Sequence, residues 1–139
     1  KTVREHVIRR VIRAEDRRGW NQLFFTGDFS RPLPFDPDHP LKIPLSFVRK
    51  SPSSGNTQPW RLLISRDLRE VHFYKKAVNR AYELKKLHHI DLGIALCHFH
   101  LGTLSAGCEG RWIRSLTRQS APSSNLEYIM TWQKISRTE

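Results

Sequence analysis

The sequence predicts one domain that mixes helices with strands. Three observations predict it: a long apolar helical stretch at residues 84–106, two strand patterns at 60–65 and 71–74 joined by a short polar turn, and a last strand pattern at 128–132. A chain of 139 residues is long enough to build one core and short for two. Its 38% hydrophobic content, with four Trp and seven Phe, belongs to a folded domain and not to a disordered tail.

At the start of the chain Val3, Val7, Ile8, Val11 and Ile12 fall on one helical arc, with Arg9, Arg10, Arg13 and Arg17 gathered opposite. An amphipathic basic helix over 3–14 is expected, docked by its apolar arc because an isolated helix of that length is marginal. Arg4 falls inside the arc and nothing in the pattern explains it. Trp20, Leu23, Phe24 and Phe25 are expected to anchor the following segment, 27–44, to the core. That segment holds Pro32, Pro34, Pro37, Pro40 and Pro44, which remove amide donors and fix φ so often that an irregular arm is expected. A short helix is expected from Leu45 to Lys50. Trp60 to Ser65, WRLLIS, then reads as a buried strand and Val71 to Tyr74 as a second; SRDLRE between them suits a hairpin, with parallel neighbours still open. Residues 84–106 carry apolar side chains on nearly every side, so a centrally buried helix is expected, stopped by Gly107. Its small positions, Gly93, Ala95 and Gly102, would let neighbours approach closely.

Twenty-four Lys and Arg against thirteen Asp and Glu give a formal charge of +11, which favours anionic partners without choosing among them. No run approaches the length of a membrane span, and the first twenty residues lack the apolar core of a signal peptide. With only Cys97 and Cys108, and no CxxC pair, a cytoplasmic location is expected. The chain begins without Met and in mid-pattern, so a piece of a longer polypeptide is expected.

The densest turn chemistry lies at SPSSGNTQPWR, residues 51–61. Pro52 discourages helix at Ser51, Gly55 tolerates positive φ, Ser53, Ser54 and Asn56 can bond local backbone, and Pro59 is expected to hold Gln58 extended. Such a corner gathers amides and short polar side chains into one concavity, suited to a planar ligand or a phosphate; an ordinary capped turn is the plainer alternative. Two other constellations are weaker. His88 and Asp91 stand one helical turn apart and offer at most two metal ligands, so no metal is expected, and His98, on the same stripe, reads as a core or interface histidine. Cys97, among Ile94, Leu96 and Leu101, is expected to be an inert buried thiol.

The run Pro52-Ser53-Ser54-Gly55-Asn56-Thr57-Gln58-Pro59-Trp60 resembles the PSSxNxQPW signature of the FMN-dependent nitroreductase superfamily. WNQLFF (20–25), VHFYKK (71–76), IDLGIALCHFHL (90–101) and EYIMTW (127–132) resemble segments of its two-lobed branch, in the same order. The resemblance implies an α+β nitroreductase-like fold, with an antiparallel or mixed sheet packed around a buried central helix, His89 to Ala106. It also implies that residues 1–139 form a single lobe similar to the C-terminal one of a larger protein. Ser53, Ser54 and Asn56 would face FMN, Gln58, Pro59 and Trp60 would fix the corner, and Arg61, with Arg49 and Lys50, would offset a missing phosphate grip. Two departures stand out: no arginine-rich RRSxR-like segment is present, and the turn after the long helix reads GCEGRWIRS. The function implied is a flavin-dependent NAD(P)H oxidoreductase lobe whose site is completed by a missing lobe or a homodimer partner. A non-catalytic remnant that binds nucleic acid or an acidic protein through its basic face is the alternative, ranked below it because no RNA-binding aromatic signature or zinc-finger spacing is present.

Overall fold

Side chains along a strand alternate between two faces, and the strands Trp60–Ile64 and Glu70–Lys76 are buried on both. In the computed structural model, which describes residues 2–11, 15–115 and 125–136, five strands form one sheet in the order β1-β2-β3-β5-β4. They are β1 (Phe24–Thr26), β2 (Trp60–Ile64), β3 (Glu70–Lys76), β4 (Gly110–Ile113) and β5 (Leu126–Lys134). β1 runs parallel to β2 and the other neighbours are antiparallel, so the sheet is mixed. SRDLRE closes a true hairpin, with Leu62 opposite Phe73. The register between β3 and β5 shifts at Phe73/Tyr74.

Trp60, Leu62 and Ile64 point to one side of the sheet with Val71 and Phe73, and are met there by Leu92, Ala95 and Phe99 of α5 (Leu87–Ser105). Phe73 and Phe99 meet edge to face, 5.2 Å between centroids. Leu45 and Val48 of α3 (Lys42–Lys50) complete this core with Leu23 and Phe24, the latter two anchoring the chain as the aromatic cluster before the arm predicts. α3 lies close on α5 because Gly102 has no side chain: a Cβ there would stand 2.5 Å from Pro44 Cα.

Several expectations are corrected. The Pro-rich arm ends at Leu41, since Pro44 sits in the first turn of α3, where its missing N–H has no intrahelical bond to lose. The long helix starts at Leu87 and not at 84: a separate helix, α4 (Arg80–Leu84), capped by Asn79 Oδ1 accepting from Tyr82 N–H at 3.2 Å, precedes it and is separated from α5 by Lys86 at φ 56°. α5 is not enclosed. Its far face exposes Ile90, Leu101 and Leu104, and also Gly93 and Cys97, so the inert buried thiol is instead an exposed one.

At the N-terminus, α1 (Val3–Val11) starts in a reciprocal cap, Thr2 with Glu5, and leaves Val3 and Val7 exposed, not docked. The side chains of Ile8, Arg9, Arg10 and Val11, and all of Ile12 and Arg13, lie outside the described residues, as does the polar connector from Ser120 to Ser124. No helix among the described residues is long and apolar enough to cross a membrane.

Candidate functional site

The corner begins where α3 stops. Ser51 is buried and returns its hydroxyl to Phe47 O at 3.1 Å, and Pro52 then carries the chain outward. Ser54–Asn56 make one short 3₁₀ turn, with Gly55 at φ 57°. Asn56 and Gln58 are also left-handed, at φ 53° and 48°, each at a cost on the order of 1 kcal/mol or more. The expectation that Pro59 holds Gln58 extended is therefore corrected. The physical reason is a set of hydrogen bonds that only this conformation makes together: Gln58 N–H donates to Ser53 Oγ at 2.9 Å, Gln58 Oε1 accepts from Arg18 N–H at 2.8 Å, and Gln58 O accepts from Arg61 Nη1 at 2.8 Å. Gln58 Nε2 donates to Asn56 O at 3.2 Å and reaches Asp16 O at 3.4 Å.

Ser53, Ser54, Gly55, Asn56 and Thr57 are half-buried and form the open side of this corner. Ser54 is tied inward, its N–H and hydroxyl both donating to Asp91 Oδ1 at 2.9 and 3.1 Å. Asn56 Nδ2 donates to Asp16 O at 2.8 Å, and its Oδ1 accepts from Arg17 Nη1 at 3.2 Å. Gln58 is buried, so its side chain shapes the corner from within. Arg61 is buried too, and as the strand residue after Trp60 it points to the sheet face away from α5, donating to Gln58 O and to Trp60 O at 2.6 Å. Burial first, then the Arg18 charge, pull its pKa down to about 10, so it is charged at neutral pH. Ser53, Ser54 and Asn56 are thus brought together, and Arg61 stands behind them.

Residues 16–18 are the part that sequence reasoning missed. They fold back across some forty positions to brace the corner, and Arg17, assigned to the basic face of the first helix, instead supplies a guanidinium beside Asn56. No local signal marks this return. Below the corner, Asp91 is buried with Oδ2 lacking a hydrogen-bond partner, 3.7 Å from His88 Nδ1. His88 Nε2 accepts from Asn79 N–H at 3.3 Å, and its buried Nδ1 has no hydrogen-bond partner. Among the described residues no group of three or more His, Cys, Asp or Glu could hold a metal ion. His98 is half-buried beside Lys50 and Phe47 in a shallow hollow between α3 and α5.

Toward a flavin the corner would offer the short hydroxyls of Ser53 and Ser54 and the Asn56 amide on its half-buried side, while the Tyr82 ring lies against Gly55, 2.5 Å from where a Cβ would stand. The cation beside the corner is Arg17, with Arg49 held back by Nε donating to Arg18 O at 2.8 Å. Residues 36–103 match a family model described as "Putative TM nitroreductase", just under half of the chain. No curated protein and no solved structure matches. The matched span carries α3, the corner, β2, β3 and nearly all of α5, and the mixed sheet packed on α5 agrees with the nitroreductase-like fold. On that span, the chain is similar to the nitroreductase-like family.

Proposed function

We propose that the chain is one lobe of an FMN-dependent nitroreductase-like oxidoreductase, and that its corner forms one wall of a flavin site completed by another lobe or a second copy. The observation that carries this reading is the pairing of a strained, half-open corner with an uncovered apolar stripe on the helix that holds it: Asp91 braces Ser54, while Ile90, Leu101 and Leu104 of the same helix stand exposed. Strain of this kind persists where surrounding bonds over-determine it, and such places cluster at ligand sites. An apolar stripe rimmed by polar residues suits a protein partner.

FMN, when bound, supplies hydride chemistry between NAD(P)H and an acceptor such as a nitroaromatic or quinone. The chain's own contribution is positional. Ser53, Ser54 and Asn56 offer hydrogen bonds at the wall, Arg17 places positive charge beside Asn56, and Asp91 and Gln58 hold the wall from below. Arg61 is a positioning residue, acting through the carbonyls of Gln58 and Trp60.

Titration with FMN, followed by flavin fluorescence and visible absorbance, tests the reading. The expected result is a saturable change in the flavin spectrum, weakened about tenfold in Ser54→Ala by loss of one hydrogen bond to the bound ligand. Colourless protein that takes no FMN even at millimolar flavin overturns it and favours a non-catalytic remnant with an anionic macromolecular partner.

A further inference from the structure

Behind the corner, on the sheet face away from α5, lies a hollow of about 470 Å³ whose lining holds three cations and no carboxylate. Arg61 comes from β2, Lys76 from the end of β3, and Arg18 from the stretch that folds back onto Gln58. Phe25 and Phe29 form an aromatic wall, 5.3 Å between ring centroids, and Phe29 meets Tyr74 edge to face. Gln22 and Asn125 add neutral polar groups at the rim.

Three like charges in one hollow repel, and proteins ordinarily seat a carboxylate among them. Here none does: among the described residues Arg18, Arg61 and Lys76 make no ion pair. Arg18 Nε is buried with no hydrogen-bond partner, and Arg61 is 5% exposed, with Nη1 turned to two backbone carbonyls. The adjacent lysine shows the contrast. Lys75, on the other face of β3, pairs with Glu83 and with Glu127 at 3.0 Å; burial lowers its pKa, but those bonds outweigh burial and raise it overall. Lys76 is lowered by burial and then by Arg61 and Arg18.

We infer that this hollow is an anion site, built for a phosphate-bearing ligand of nucleoside-monophosphate size whose planar body rests on Phe25 and Phe29. A phosphate is the charge complement the three cations lack, a guanidinium pair suits its oxygens, and the volume is that of ordinary small-ligand sites. This site is separate from the flavin wall, since Ser54 and Asp91 lie toward α5 and Lys76 and Arg61 lie on the opposite face. The two stand or fall independently.

Calorimetric titration with inorganic pyrophosphate, AMP and adenosine tests it, on wild type, Lys76→Gln and Arg18→Gln. Arg61→Ala is set aside because its bonds also hold the corner. The expected result is one AMP per chain, adenosine at least tenfold weaker, pyrophosphate competing with AMP, and a loss of about tenfold in each variant with the melting temperature unchanged. Added salt weakens AMP and leaves adenosine unaffected. Absence of AMP and pyrophosphate binding overturns the inference, as does equal affinity in wild type and both variants. Wild type that binds FMN but neither AMP nor pyrophosphate sinks this site alone. The converse sinks the flavin wall alone.

Discussion

The corner and the hollow behind it meet through Arg18 and Arg61, both of which bond to Gln58, and use their polar groups in opposite ways. In the corner, Ser54, Asn56 and Gln58 are tied to Asp91, Asp16, Arg17 and Arg18, and these bonds maintain three left-handed residues within four positions. In the hollow, three cations share one space without a carboxylate. The corner's polar richness thus goes first into its own geometry, and what remains for a ligand is its half-open side. The hollow's charge is left over, which marks capacity for a ligand and a small cost to the fold.

Substitutions should separate the two regions. The largest effect is expected in the corner: Gln58→Ala strands Arg18 N–H and removes the amide that spans Asp16 and Asn56, and should lower unfolding free energy by about 3 kcal/mol in urea titrations. A loss under about 0.5 kcal/mol, within the range of ordinary surface changes, would mean that the corner is not held by these bonds. Gly55→Ala should cost about 1 to 2 kcal/mol, because φ 57° is strained for alanine and a Cβ would stand 2.5 Å from the Tyr82 ring, which must swing away. Crystallographic displacement of Tyr82 in that variant would be the direct sign.

Charge removal in the hollow should have the smallest effect, and of the other sign. Lys76→Gln relieves repulsion and is expected to leave stability equal or higher by less than about 1 kcal/mol. The pH dependence follows from the two lysines. Lys76 has a folded pKa below 10.5, so the unfolded chain binds the proton more tightly and stability rises with pH between the two values. Lys75 has a folded pKa above 10.5; its contribution is full below the unfolded value and is lost as pH climbs through the folded one. Compared with wild type, urea midpoints at alkaline pH should therefore rise less in Lys76→Gln and fall less in Lys75→Gln. Parallel curves for both variants would remove the contrast between the faces.

Much of the fold is legible in the sequence because hydrophobic pattern fixes it. WRLLI, VHFY and EYIMTW lie within strands β2, β3 and β5, with Ser65 of the expected WRLLIS strand just outside, and Leu23 and Phe24 are core residues. β1 and β4 escape notice: the first is three residues long beside an aromatic cluster, and GRWI follows a glycine turn that reads as loop. The open face of α5 is hidden because apolar residues surround the helix, so its pattern names no outward side. That Ser53, Ser54 and Asn56 gather in one corner is legible from the turn chemistry of the motif. Arg61's position behind them follows from strand alternation after Trp60. Gln58 defeats the local rule for residues before proline, since its partners Asp16 and Arg18 lie some forty positions away.

Native mass spectrometry across a concentration series, with and without FMN, is the most direct test that the corner is one wall of a shared flavin site. The predicted result is that FMN is carried by a species of two copies and that adding it shifts single chains into that species. Single chains at every concentration, without flavin, would contradict it.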